Sequence, residues 1–193
     1  NNKDYYEKLK IFRHHGIVRD PSKFKNQPDG DPRLGGASWY HEMQELGFNY
    51  RITDIQAALG ISQLKRLDKF IEARKKIAAA YNKAFKKFSD KLELPSDSEE
   101  ISSSWQIYVI RLKGALAKKR AEVFKKLREA GIGAQVHYIP VYWHPYYQDL
   151  GYKKGLCPKA EEYYESAISL PIYPDLSGKD QKFVTGTLSS LLK

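Results

Sequence analysis

Apolar positions form their most regular pattern downstream of Thr53. Thr53-Asp54-Ile55-Gln56 is a capping box, in which the threonine hydroxyl accepts a bond from an unpaired backbone amide and the glutamine bonds back. The apolar residues that follow at helical spacing are Leu67, Phe70, Ile71, Ile77, Ala78, Tyr81, Ala84, Phe85 and Phe88. The pattern predicts one helix over 53–88, roughly 50 Å long. Such a helix typically connects two domains or two subunits.

The N-terminal region combines a short helix with an irregular segment. Tyr5, Leu9 and Phe12 predict a helix over 4–14. The segment 16–40 is rich in proline and glycine, and long irregular loops inside compact domains are usually functional. Because little apolar sequence lies near it to pack on, the pattern predicts a loop that meets a partner surface.

After residue 100 the pattern alternates between strand and helix, which predicts an α/β fold with a small α/β layer of its own. Gly131 is expected to end one helix, Pro158 to begin another and Ser177 to cap the last. The predicted elements are strands over 105–112 and 135–141, an extended piece over 168–172, and helices over 116–127, 158–166 and from Ser177 onward.

Composition is that of a globular protein. The 193 residues are 41% hydrophobic and 29% charged, which argues against a disordered or fibrous chain. No run approaches the roughly 18 apolar residues of a membrane-spanning helix, and no export leader opens the chain. The single cysteine, Cys157, excludes an internal disulfide and is typical of a reducing compartment. We therefore expect a cytoplasmic protein with no membrane partner, and the start at Asn1 favours a fragment of a longer chain.

The net charge of +10 is unevenly distributed. Residues 61–130 contain 18 Lys or Arg against 9 Asp or Glu. A basic stretch of this kind can attract nucleic acid, an anionic membrane or a phosphorylated ligand, and the alternative is a solvated face on long helices. Both interpretations stay open at this point.

Several kinds of chemistry are not predicted. Cys157 has no partner at metal-ligand spacing, so we expect a packed thiol rather than a nucleophile. The histidines lack the spacing of a helical metal site, and no glycine-rich phosphate motif is present. The aromatic tract 138–152 is compatible with a core patch or with a rim on which sugars or bases stack.

The segment Gly47-Phe48-Asn49-Tyr50-Arg51 leads directly into the capping box. It places an amide and a guanidinium in the approach to a helix N-terminus, where backbone amides and the macrodipole favour an anion. These residues predict a phosphate contact, with a solvated turn as the alternative.

The run ELGFNYRITDIQAALG at 45–60 closely resembles the signature of the DegT/DnrJ/EryC1/StrS nucleotide-sugar aminotransferases, fold-type-I enzymes that depend on pyridoxal 5'-phosphate. VHYIPVYWHPYY at 136–147 and ISLPIYP at 168–174 resemble two later motifs of that family. The resemblance spans essentially the whole chain. It is greatest for the pseudaminic-acid branch, whose members aminate C4 of a UDP-linked 4-keto-6-deoxy sugar.

The resemblance implies the C-terminal half of a pyridoxal-phosphate-dependent transferase of fold type I. Residues 1–52 would be the tail of the large, cofactor-binding domain with an interface loop, 53–88 the connecting helix, and 89–193 the small C-terminal α/β domain. The Schiff-base lysine of the family would then lie upstream of Asn1. We therefore expect no catalytic residue in this chain, and no activity from it alone.

The resemblance also implies the site residues and partners. Asn49 matches the residue that reaches across the dimer to the neighbour's cofactor phosphate, and Arg51 a helper at that phosphate or at the nucleotide diphosphate. His137 and Tyr138 match the segment that faces the sugar nucleotide, and the alternative for His137 is a hydrogen-bonded imidazole within a strand. The implied partners are a second copy in a homodimer with a composite active site, a nucleotide sugar, and glutamate as the amino donor.

Other functions stay open beside the aminotransferase. The chain could be a non-enzymatic basic binding module or a self-associating structural domain. The pairs Asn49–Arg51 and His137–Tyr138 favour the aminotransferase, because a generic nucleic-acid binder needs neither pair.

Overall fold

The computed structural model describes residues 1–26, 40–96 and 102–193. These residues form two compact units, an N-terminal unit over 1–64 and a C-terminal unit over 65–193. Within the described ranges, no helix is long and apolar enough to cross a membrane.

The N-terminal unit is built from two helices and a small antiparallel ribbon. The side chain of Asn2 caps the first helix by accepting bonds from the backbone N–H groups of Asp4 at 2.9 Å and Tyr5 at 3.2 Å. In the ribbon Val18 lies opposite Glu42. The elements are α1 (Lys3–Phe12), β1 (Ile17–Val18), a 3-10 turn (Pro21–Lys23), β2 (Glu42–Met43) and α2 (Asp54–Leu64).

The N-terminal helix predicted over 4–14 is confirmed, with bounds shifted by one or two residues. The irregular segment predicted over 16–40 instead contains β1 and the 3-10 turn in its described part. Its residues 27–39 lie outside the described residues.

Two stretches of backbone in the N-terminal unit run against each other at very short range. Gly16 has a φ of +70°, and a Cβ built there would lie 1.6 Å from the carbonyl oxygen of Glu45. A Cβ on Gly47 would lie 2.1 Å from the backbone nitrogen of Gly16. Only glycine fits at either position. Backbone bonds join the stretches on both sides of this crossing, and with the N–H donor first they are Phe48 to Phe12 (2.7 Å), His15 to Phe48 (2.9 Å) and Tyr50 to Arg13 (3.0 Å).

The capping box at Thr53 forms as predicted. The hydroxyl of Thr53 accepts from the backbone N–H of Gln56 at 3.3 Å, and the Gln56 side chain accepts from the backbone N–H of Thr53 at 2.9 Å. The helix that it starts ends at Leu64, so the single helix predicted over 53–88 is wrong.

A second helix, α3 (Leu67–Phe85), begins after the two-residue turn at Lys65 and Arg66. Its buried residues are Ile77, Ala78, Tyr81 and Phe85, whereas α2 buries none. Helices depend on packing of an apolar face, and the consecutive charged residues 65–66 contribute nothing to such a face. The helical spacing of apolar residues therefore continues through 65–66, although the helix itself is interrupted there.

The C-terminal unit packs its helices on a three-stranded antiparallel sheet in the order β3-β4-β5. Tyr108 lies opposite Leu170 and Leu92 opposite Leu112. Its elements are α3, a 3-10 turn (Lys86–Phe88), β3 (Leu92–Glu93), β4 (Tyr108–Leu112), a 3-10 segment (Gly114–Lys119), α4 (Arg120–Glu129), a 3-10 turn (Val141–Trp143), α5 (Pro145–Asp149), α6 (Pro158–Ser166), β5 (Ala167–Leu170) and α7 (Gly178–Leu191).

Two predicted strands are shorter than expected. Strand β4 starts at Tyr108 rather than 105, because Trp105 has a φ of +49°, which no strand accommodates. Of the strand predicted over 135–141, one bridge between Gln135 and Ser169 forms. Pro140 has no N–H to donate, and the chain turns into the 3-10 turn directly after it.

The predicted helix ends of the C-terminal unit are confirmed. Gly131 follows α4 with a φ of +81°, Pro158 is the first residue of α6, and the hydroxyl of Ser177 accepts from the backbone N–H of Asp180 at 3.1 Å.

Buried tyrosines tie α3 to the sheet. The hydroxyl of Tyr81 donates to the carbonyl of Pro171 at 2.9 Å, and that of Tyr108 donates to the side-chain oxygen of Asn82 at 2.7 Å. Burial raises the pKa of both phenols well above the ordinary value, and the neighbouring tyrosine of each acts in the same direction. Pro171 directly follows β5, so the Tyr81 bond fixes the chain where the 168–174 motif leaves the sheet.

We expect Gly16→Ala to lower the free energy of unfolding by roughly 3 kcal/mol, because the methyl group meets the Glu45 carbonyl and alanine resists the left-handed backbone. Native-state hydrogen exchange at the Phe48 and Tyr50 amides, with urea unfolding followed by circular dichroism, measures the loss. The matched control is Gly60→Ala in α2, where a Cβ meets nothing within 4 Å. It should stabilise by roughly 0.5–1 kcal/mol. Equal effects of the two variants would contradict the close crossing.

Candidate functional site

Asn49 and Arg51 come together in the N-terminal unit. The guanidinium of Arg51 donates from Nη2 to Oδ1 of Asn49 at 3.5 Å, and both residues are exposed. Asn49 forms an antiparallel bridge with His14, next to the Gly16–Gly47 crossing. Two exposed polar side chains are thus attached to a hydrogen-bonded backbone just before the capped end of α2, where helix amides and the macrodipole favour an anion.

His137 and Tyr138 lie together in the C-terminal unit. Nδ1 of His137 is 2.7 Å from the hydroxyl of Ser169, which is buried on β5. The Tyr138 ring meets the imidazole edge-on at 4.5 Å between centroids and is 73% exposed. The alternative interpretation, a hydrogen-bonded imidazole, therefore holds for Nδ1. The other ring nitrogen, Nε2, has no hydrogen-bond partner among the residues that the structure describes. A fixed imidazole with one free nitrogen can donate to a ligand or accept from it.

A cavity of about 520 Å³ opens beside His137. Polar groups of Gln106, Gln135 and Asp180 line it together with apolar side chains of Ile107 and Phe183. Its volume falls within the range of small-molecule sites, which combine a mostly apolar lining with a few placed polar groups.

Glu161 is a buried carboxylate that the sequence did not single out. Its Oε1 accepts from the Gly155 backbone N–H at 2.6 Å, the Tyr142 hydroxyl at 2.7 Å and Nε1 of Trp143 at 3.3 Å. Burial alone would raise the pKa of Glu161, but these bonds and nearby Lys154 outweigh it, so the pKa is lowered. Burial, and after it the hydrogen bond to Glu161, raise the pKa of Tyr142 to about 12.

The contacts of Glu161 bear on whether the aromatic tract 138–152 is a core patch or an exposed stacking surface. Tyr142 and Trp143 are fastened to α6 through the carboxylate, whereas Tyr138 and Tyr146 are exposed, the latter by 70%. The tract therefore contains both hydrogen-bonded rings and exposed rings. Nothing in the local sequence distinguishes Glu161 from the next residue, Glu162. Glu162 lies at the surface and pairs with Arg111 at 3.2 Å.

Glu42 is a second buried carboxylate that sequence reasoning missed. It accepts from the backbone N–H groups of Lys25 at 2.7 Å and Asn26 at 2.8 Å, and from the side chains of Tyr40 at 3.2 Å and Gln44 at 2.7 Å. Burial raises its pKa, but these donors outweigh that effect and lower it. One carboxylate therefore joins the chain on both sides of residues 27–39.

The structure corrects the expectation for Cys157 and places the basic surplus. Cys157 is exposed rather than packed, and it lies in the connection directly before α6. Within 61–130, several cations pair with carboxylates on their own helix, as Lys126 does with Glu122 at 2.7 Å. These pairs favour a solvated helix face. In the described parts of the chain, no cluster of three His, Cys, Asp or Glu could hold a metal ion.

The predicted pairs lie in different units: Asn49 with Arg51 in the N-terminal unit, His137 with Tyr138 in the C-terminal unit. The structure brings the members of each pair together.

Comparison with known proteins gives a consistent set of matches. The sequence profile of the DegT/DnrJ/EryC1/StrS aminotransferase family matches residues 1–189. The chain is 37% identical over 193 residues to the UDP-4-amino-4,6-dideoxy-N-acetyl-beta-L-altrosamine transaminase of Campylobacter jejuni, covering 100% of this chain and 46% of that relative.

Solved structures agree in fold. Helicobacter pylori PseC, an aminotransferase involved in the biosynthesis of pseudoaminic acid, matches with a TM-score of 0.82 at 27% identity, over 100% of this chain and 47% of that one. Spr1654 from Streptococcus pneumoniae in its PMP-form matches with a TM-score of 0.83 at 27% identity, over 100% and 46%. The chain thus spans about half the length of the proteins that it matches.

We expect Glu161→Gln to lower the urea midpoint of the C-terminal unit, because a neutral amide accepts more weakly than a carboxylate and presents an NH₂ group to its donors. Folding lowers the pKa of Glu161, so the carboxylate stabilises the protein above its unfolded pKa of about 4.3, and this contribution is lost as the pH falls through the folded pKa. The difference between wild type and variant should be largest near neutral pH and shrink in acid. Glu165→Gln on the same helix, where the carboxylate is exposed, is the control and should change little. A pH-independent difference would contradict the assignment.

Proposed function

The chain belongs to the DegT/DnrJ/EryC1/StrS aminotransferase family, and we propose that it is the C-terminal portion of an enzyme that transfers an amino group from glutamate to the C4 keto group of a UDP-linked 4-keto-6-deoxy sugar. The predicted family, fold class and cofactor, pyridoxal 5'-phosphate, are confirmed by the profile and by the structural relatives. The choice of sugar is supported by the names of the Campylobacter and Helicobacter relatives. We also propose a cytoplasmic location, which the lone Cys157 supports.

The observation that carries the proposal is the exposed Asn49–Arg51 pair on a fixed backbone. An amide, a guanidinium and the first amides of a capped helix fit a phosphate group, so these residues would hold the phosphate of the cofactor, with Arg51 also able to serve a nucleotide diphosphate. Pyridoxal phosphate supplies the carrier that takes the amino group from one substrate and gives it to the other.

In the C-terminal unit we assign His137 and Tyr138 to the sugar nucleotide. Ser169 holds Nδ1 of the imidazole, which orients Nε2 for a hydrogen bond to a sugar or phosphate oxygen. The exposed Tyr138 ring offers an apolar face and a hydroxyl to the same ligand. The cavity beside His137 provides polar and apolar surface for it.

A homodimer with a composite active site is the proposed assembly. Helix α2 has no buried residue, and its apolar side chains are exposed, with Ile55 at 75% and Leu59 at 61%. An apolar helix left uncovered by its own unit indicates a partner surface. The self-associating domain is thereby part of this proposal, and the paired charges of 61–130 support it over a nucleic-acid-binding module.

We expect the 193-residue chain to give no stoichiometric, single-site adduct when mixed with pyridoxal phosphate and reduced with borohydride, because the family lysine matches none in this chain. Mass spectrometry of the reduced protein locates any adduct. A full-length aminotransferase of the family, treated in parallel, should be labelled at one lysine. A single-site adduct on this chain together with turnover would refute the assignment as a C-terminal portion.

We expect Ile55→Asp to weaken self-association of the chain by roughly tenfold or more, since a charge replaces an apolar side chain that a partner would bury. Sedimentation velocity over a range of concentrations measures the constant. Leu156→Asp introduces the same charge at an exposed apolar residue of the C-terminal unit and serves as the control. Because α2 buries no residue, Ile55→Asp should leave the fold intact, and an unchanged constant would count against the proposed interface.

A further inference from the structure

The N-terminal unit contains a cavity of about 410 Å³ whose charges do not balance. The acidic residues of its lining are Glu7 and Asp20, and both form ion pairs with lysines. Glu7 pairs with Lys10 at 3.1 Å and with Lys23 at 3.8 Å, and Lys23 also lies 3.8 Å from Asp20. The two carboxylates are therefore neutralised by the two lysines of the lining.

Three arginines of the same lining have no acidic partner among the residues that the structure describes: Arg13, Arg19 and Arg51. Within the part of the chain that the structure describes, their guanidiniums make one hydrogen bond, the long one from Arg51 to Asn49. Guanidiniums that share a cavity repel one another unless an anion lies between them. The lining thus holds an excess of positive charge that no acidic group among the described residues of this unit offsets.

His14 lies among these arginines, and Nδ1 of its ring is buried without a hydrogen-bond partner in the described chain. Burial first, and then the charges of Arg51, Arg19, His15 and Arg13, lower the pKa of His14 and so favour the neutral ring. A buried polar atom without a partner is costly unless something outside the chain supplies one.

We propose that this cavity binds a phosphoryl group, with Arg13, Arg19 and Arg51 as its counter-charges and His14 as a hydrogen-bond donor. The inference rests on the proposed function through Arg51, whose phosphate role it extends to residues that the family resemblance did not assign. A carboxylate supplies a single negative charge, whereas a phosphate monoester or a diphosphate supplies about two and several acceptor oxygens. Three forked guanidiniums match the phosphate better.

The inference is tested on the 193-residue chain by following the imidazole resonances in NMR spectra against pH. His14→Asn identifies the His14 signal by its loss. We expect the pKa of His14 to lie below about 6.5 in the free protein and to rise when a phosphate compound binds, since the anion stabilises the protonated ring.

Three probes separate the sources of the phosphoryl group: inorganic phosphate, UDP and pyridoxamine 5'-phosphate. Tighter binding of UDP assigns the cavity to the nucleotide diphosphate, and tighter binding of pyridoxamine phosphate assigns it to the cofactor. Either result supports the inference. No shift of the His14 signal with any probe overturns it, whatever the adduct and sedimentation experiments show for the proposed function.

Arg19→Gln should weaken binding of the best probe roughly tenfold, the loss expected for one charge-assisted contact. Lys8→Gln removes the same charge from an exposed position of α1 outside the cavity and should leave binding nearly unchanged. Arg13→Gln repeats the test if Arg19→Gln alters the unfolding midpoint. Equal losses in the arginine and lysine variants would show a diffuse charge effect and overturn the site.

Discussion

The approach of Gly16 to Gly47 is the contact on which the N-terminal unit depends. Two backbones pass so closely that no side chain can stand at either glycine, and hydrogen bonds on both sides join residues 12–15 to 48–50. The crossing sets His14 opposite Asn49 and brings Arg13 and Arg51 to one cavity. The side chains that we propose as phosphate contacts are thus positioned by backbone geometry rather than by their own burial, which leaves them exposed to a ligand.

In the C-terminal unit, a buried residue rather than a backbone crossing positions the side chain of His137. Strand β5 is buried along its whole length, so the Ser169 hydroxyl that holds His137 belongs to the core of the sheet. Glu161 then fastens the aromatic segment downstream of His137 to α6. The chain from His137 to Trp143 is thus held by hydrogen bonds at both ends, and the exposed Tyr138 ring lies between them.

Local chemistry was predictable from the sequence, and long-range contacts were not. The capping box at Thr53, the proline that opens α6 and the serine that caps α7 depend on a few neighbouring residues, and all form. The turn at 65–66 and the reduction of the strand over 135–141 to one bridge depend on what each segment packs against, which periodicity does not report. Asn49 and His137 are proposed as site residues through family motifs, whereas nothing near Glu161 distinguishes it from the surface residue Glu162.

The Glu42 carboxylate has a consequence for the replacements that its position can accept. It accepts hydrogen bonds from Lys25, Asn26 and Tyr40, so a single buried anion holds the described residues at 25–26 and at 40. The acid at position 42 therefore acts on the described backbone near 25–26 as well as on its own strand, and replacing it would leave the amides of Lys25 and Asn26 without their acceptor.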